Sequence, residues 1–191
     1  HAVGLPATYR RHGWRLPGTP DHEHHDSNRS AGTVPAGSPH TVNTEDTTMD
    51  IYTQPLLNAL LTAFHTEFDG DSHITIFSGP VPETAGAATA GATALVTLSG
   101  PSGVPLEFEL PTDGLMPKST SQVWSGDPDA TGVAAFFRLH KASDDPTTAS
   151  ASAMRAQGTV GVANANLLLS NPLIEIGTPW TLDNFFVTLP A

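Results

Sequence analysis

The chain has 191 residues and a formal net charge of −11, with 8 Lys and Arg against 19 Asp and Glu, and no cysteine. That length suits one domain of ordinary size, or a smaller one carrying a tail, and the lack of cysteine excludes disulfides, thiolate metal sites and a Cys nucleophile. The acidic excess lies almost wholly beyond residue 48; it would repel phosphate backbones, whose binding depends on Lys and Arg, so nucleic acid is not expected as a partner.

Residues 1–48 show no sustained helical or strand periodicity and are interrupted by Gly4, Pro6, Gly18, Pro20, Gly32, Pro35, Gly37 and Pro39. This Pro/Gly/His-rich N-terminal segment is expected to be an extended arm that gains order by lying along a neighbouring subunit. Residues 1–20 lack the apolar core of a signal peptide, and no run of the chain approaches a membrane span, so no membrane partner is expected. Tyr9, Trp14 and Leu16 are the arm's candidate apolar anchors, with Arg10, Arg11 and Arg15 placed to pair acids on a partner.

Within the arm, Asp21-His22-Glu23-His24-His25-Asp26 gathers the imidazoles and carboxylates that zinc, nickel or copper would accept. A zinc-protease helix needs His-Glu-x-x-His, but Asp26 stands at the last position. A His-x-His-x-Asp-His pattern is met by His22, His24 and Asp26 but ends in Ser27. Fixing several ligands on such a segment costs ordering entropy. The cluster is read as a solvated or interface segment, with His22, His24, His25 and Asp26 as the ligands to test if a metal binds; no cofactor is expected.

The domain is expected over 49–191. Ile51, Leu56, Leu57, Leu60, Leu61, Phe64 and Phe68 recur at three- and four-residue spacing, predicting an amphipathic helix of about four turns that packs on a sheet. Asp50 is placed to cap its start and Asp69-Gly70 to stop it. Asp69, Asp71 and His73 then alternate, which would suit a hard cation, but the glycine and glutamate offsets of a calcium loop are absent. A helix stop and strand entry is the preferred reading.

Short runs rich in β-branched and aromatic residues follow at 73–78, 94–98, 105–110, 133–140, 153–160, 165–169, 173–176 and 181–189, separated by Gly, Pro, Asn or Asp. Punctuated short strands without crossover helices predict a mainly-β domain of β-sandwich or jelly-roll type, with one N-terminal amphipathic helix and a preceding arm. In the last run Leu182, Phe185, Val187 and Leu189 alternate with polar residues, and Phe186 breaks the alternation. Phe186 either faces a partner or second layer, or belongs to a core strand apolar on both faces; it joins the candidate interface residues.

Enzyme signatures are weak. Ser99-Gly100-Pro101-Ser102-Gly103 misses the nucleophile-elbow spacing and reads as a turn. Glu107 and Glu109 lie on one strand face, where two like charges are expected to point to solvent rather than flank a scissile bond. No phosphate-binding loop occurs. Trp14, Trp124 and Trp180 are possible sugar-stacking residues, Trp124 being the best exposed candidate, against a core or interface role. No catalytic residues are expected.

Several segments of 49–191 carry a resemblance. After the helix comes Ile74-Thr75-Ile76-Phe77-Ser78-Gly79-Pro80, a small-residue loop from Thr84 to Thr93, and Ala94-Leu95-Val96-Thr97-Leu98-Ser99. Asp127-Pro128-Asp129-Ala130-Thr131-Gly132 then runs into Val133-Ala134-Ala135-Phe136-Phe137-Arg138-Leu139. The C-terminal part has Gln157-Gly158-Thr159-Val160-Gly161, Asn166-Leu167-Leu168-Leu169 and the closing Phe185-Phe186-Val187-Thr188-Leu189. In order and spacing these resemble a group of small tailed-bacteriophage virion proteins. The resemblance implies a structural component of the virion with no enzyme activity and no cofactor. Its partners would be phage capsid or neck/tail proteins, in a homo-oligomeric or lattice-arrayed setting. A head decoration or cement protein is the first expectation, a neck/tail adaptor or accessory tail subunit the second, and a carbohydrate-binding module the third. The arm 1–48 has no counterpart in the group.

Overall fold

The computed structural model describes residues 52–189, all of them within the unit Thr47–Ala191. The arm 1–48, with Tyr9, Arg10, Arg11, Trp14, Arg15, Leu16, His22, His24, His25 and Asp26, lies outside the described residues, as do Asp50 and Ile51. What is described is mainly β with one helix, α1 (Gln54–Phe68).

The helix begins after Thr53, whose carbonyl accepts the N–H groups of Leu56 and Leu57 at 2.9 and 3.0 Å, so the expected cap at Asp50 is corrected by three residues. Pro55 in the first turn explains the later start, because its fixed φ and missing N–H are tolerated there and not further in. The end falls where expected: the Asp69 N–H donates to the His65 carbonyl, and Gly70 takes a φ of +67°. The Asp69 carboxylate then accepts the Phe108 N–H at 2.8 Å, tying the helix end to the following loop.

The strands are β1 (Ser72–Ser78), β2 (Thr93–Leu98), β3 (Leu115–Pro117), β4 (Trp124–Gly126), β5 (Gly132–Val133), β6 (Phe136–Lys141), β7 (Arg155–Gly161), β8 (Leu167–Leu168), β9 (Leu173–Ile174), β10 (Trp180–Leu182) and β11 (Phe186–Thr188). Five form a sheet in the order β2-β1-β6-β7-β8, antiparallel except at β7–β8. The others pair as the ladders β4–β10, β3–β11 and β5–β9. Among the described residues no second broad sheet faces the first.

Side chains alternate along β1 and β6. The cross-strand pairs Ile74–Leu139 and Ile76–Phe137 point into the core with Leu61 and Phe68 of α1. Trp124, fully buried, packs there between Phe108 and Phe185, with ring centroids 5.1 and 5.7 Å away. The intervening pairs, Thr75–Arg138, Phe77–Phe136 and His73–His140, occupy the opposite face. Phe77 and Phe136 stack there at 4.8 Å, which explains how β6 is apolar towards both sides.

Three expected runs are redrawn. Residues 105–110 form no strand, only a single bridge from Phe108 to Lys118. Their alternation survives, with Leu106 and Phe108 buried, because separate partners hold the backbone: the carbonyls of Ser72 and Pro117 accept the Leu106 and Glu109 N–H groups, while the Gln122 and Asp69 side chains accept those of Glu107 and Phe108. The run 133–140 divides into β5 and β6 at Ala134 and Ala135, whose N–H groups donate to Pro172 and Phe77 carbonyls. The run 181–189 divides into β10 and β11, which change partner from β4 to β3. The partners β3 and β4 are three-residue strands containing Pro117 and Gly126, too short to show a period.

Candidate functional site

Most of the described side chains capable of chemistry hold the fold together. Asp71 lies 3.3 Å from the Lys141 ammonium, which also faces Glu67 at 3.5 Å, and Asp69 serves as the helix cap. Among the described residues no cluster of metal-ligating side chains occurs. Glu107 is exposed, whereas one oxygen of Glu109 accepts from the Ser119 hydroxyl and from the Thr120 N–H and hydroxyl at 2.9 to 3.2 Å. Those donors, the Thr120 N–H foremost, hold the Glu109 carboxyl below its usual range, the wrong direction for a general acid. Ser102 sits in a short 3-10 turn, Pro101–Gly103, at φ 59° and ψ 24°.

Of the described histidines, His140 is likewise internal. His140 is buried; its Nδ1 lies 2.9 Å from the Lys141 carbonyl and must donate, leaving Nε2 to accept from the Thr75 hydroxyl at 3.0 Å. Burial lowers its pKa, as it does for His73 across the strand pair. Trp124, weighed as a sugar platform against the favoured core or interface role, is fully buried and takes the core role. Among the described residues Trp180 is the tryptophan that retains exposure, and it leans on the core.

The surface feature that stands apart is apolar. A groove of about 270 Å³ has Phe64, Phe137, Leu139 and Phe185 in its lining, with Ala156 to Gly158 and Asn166 on one part and Phe186 to Leu189 on another. No charged side chain lines it. The β3–β11 ladder creates it: Met116 is buried and Val187 packs on the core, which turns Phe186 outward at 62% exposure. Gly158 keeps the groove narrow, since a Cβ there would stand 2.7 Å from the Phe137 ring and 2.9 Å from the Asn166 side chain. Asn166 is held in turn by the Thr159 N–H at 2.9 Å.

Phe64 links this groove to the helix. Leu60 and Leu56 precede it at four-residue steps on the same helix flank and are 43% and 47% exposed, while Leu57, Leu61 and Phe68 take the core side. The apolar stripe expected along this helix is therefore only partly buried. The six apolar positions from Leu56 to Phe68 span more of the helix circumference than one packing face can cover, a width that the sequence already carried. Phe186, which breaks the alternation in the sequence, lines the groove, whereas Gln157, Gly158 and Asn166 carry no sequence pattern that places them there.

No protein-family model, curated protein or solved structure matches this chain. Among the described residues no helix is long and apolar enough to cross a membrane.

Proposed function

We propose that the chain is a structural protein of a tailed-bacteriophage virion, a head decoration or cement protein that works by docking on capsid subunits rather than by catalysis. The observation that carries the docking part is the uncharged groove with outward-turned Phe186 in its lining, which Phe64 joins to the helix flank where Leu60 and Leu56 are exposed. An exposed aromatic in an apolar groove is the kind of surface that marks interaction sites. The particle itself is suggested by the resemblance of 49–191, in the order and spacing of its segments, to small virion proteins. In this reading the arm 1–48 adds contact area, and Tyr9, Trp14 and Leu16 with Arg10, Arg11 and Arg15 supply its anchors.

The test is the copy number of the chain in purified particles, by quantitative mass spectrometry against the major capsid protein. Copies comparable to the capsid protein are expected. A small fraction of that number would assign the chain to the neck or tail, and absence from particles would overturn the virion reading. Phe186→Ser, which alters an exposed side chain, is expected to lower particle occupancy without unfolding the domain.

A further inference from the structure

A second cleft, of about 490 Å³ and sharing no lining residue with the groove, lies between the loop 168–173 and the segment 180–184. Both walls are anchored from behind. Leu167 and Ile174 flank the loop and are buried; Leu182 and Phe185 bury the other segment. The cleft is thus preformed and needs little ordering on binding, and its size suits a small ligand.

Its lining combines two kinds of group. The first is the half-exposed side chain of Trp180, held by the pairing of β10 with β4, where Trp180 stands opposite Gly126. The second is a set of short, exposed polar side chains: Ser170, Asn171, Thr181, Asp183 and Asn184. Asn171 spends its carbonyl oxygen on the Leu173 N–H at 3.0 Å, which leaves its amide N–H groups for a ligand. The side chains of Asp183 and Asn184 make no hydrogen bond with another described residue. No cation lines the cleft and its sole ionisable group is Asp183, so phosphorylated or otherwise anionic ligands are disfavoured.

We infer that this cleft binds a neutral carbohydrate, with the Trp180 ring packing against the C–H face of a sugar and Asp183, Asn184 and Asn171 bonding its hydroxyls. A pyranose is apolar on one face and carries vicinal hydroxyls at its rim. An aromatic ring next to planar carboxylate and amide groups matches both parts. The inference does not rest on the virion reading, because the cleft and the groove share no lining residue.

The experiment titrates the full chain with soluble neutral oligosaccharides of glucose, mannose, galactose and N-acetylglucosamine, followed by tryptophan fluorescence and calorimetry. Saturable binding of at least one is expected. The paired change Asp183→Ala and Asn184→Ala, at two exposed positions, is expected to weaken it about tenfold or more with an unaltered thermal melt. Trp180→Phe, which keeps an aromatic against the core, should also weaken it. No saturable binding in the panel, or binding that the paired change leaves intact, would overturn the proposal. Particle copy number has no bearing on this outcome, so the two readings fail separately.

Discussion

On one face of the five-stranded sheet, Ile74, Ile76, Phe137 and Leu139 meet the helix and the Trp124 cluster. On the other, Arg138 is fully buried with no carboxylate paired to it among the described residues. Its guanidinium instead donates to Gln157 Oε1 at 3.0 Å and to the carbonyls of Pro146 and Thr84 at 2.6 and 3.2 Å. Gln157 passes its own amide N–H to the Pro82 carbonyl at 2.8 Å. One face is closed by apolar burial alone, which tolerates many partners; the other adds to the stacked Phe77 and Phe136 the directed hydrogen bonds of Arg138 and Gln157, which specify the two loops they hold. The same two strands thus hold a core on one side and a loop cover on the other.

Truncating the core face should cost most. Trp124→Ala removes a fully buried ring from Phe108 and Phe185 and is expected to destabilise the domain by about 3–5 kcal/mol, measured by denaturant unfolding. A loss below about 1 kcal/mol would mean that Trp124 is not the centre of that cluster. Arg138→Met keeps bulk on the other face but leaves the carbonyls of Pro146 and Thr84 without their donor. A loss of about 2–4 kcal/mol is expected, with faster amide exchange concentrated in 82–89 and 144–150. Uniformly faster exchange would show that the two faces do not differ as described.

The smallest effect is a pH dependence confined to the loop-covered face. Of the β1 and β6 side chains pointing into the core, Ile74, Ile76, Phe137 and Leu139, none titrates, whereas His73 and His140 stand on the other face. Burial lowers both pKa values below the ordinary imidazole value of 6.5, so the unfolded chain takes up protons first. Stability is therefore full above about pH 6.5 and falls with acid until the lowered folded-state values are passed. Nearby Asp144 and Arg155 pair at 2.6 Å, and Asp144, held low chiefly by the Arg155 hydrogen bonds, adds its own loss only at more acid pH, below 3.8. His140→Gln should flatten the unfolding profile between pH 5 and 7, a range set by the ordinary imidazole value; an unchanged slope would assign the effect to other groups.

Much of this was legible in the chain because it is local. The three- and four-residue spacing from Leu57 to Phe68 and the Asp69-Gly70 stop mark the helix. The β-branched runs separated by Gly and Pro mark a mainly-β domain, since backbone preference and turn chemistry act over a few residues. The near-alternation of Leu182, Phe185 and Val187 marks Phe186 as an exception but leaves its direction open, and the β3–β11 pairing is what turns it outward. Long-range partners decided the rest. The sequence leaves Trp124 between a sugar platform and a core or interface anchor, and the approach of Phe108 and Phe185 decides for the core. Arg138 looks like a charge breaking an aromatic strand until Thr84 and Pro146, distant in sequence, arrive with their carbonyls. The groove beside Phe186 exists because α1, β7 and β11 converge, and the Trp180 cleft because the loop 168–173 lies across from it. Periodicity records which side of an element is apolar; which surface meets that side, and how much of it stays uncovered, is set by packing between segments far apart in the chain.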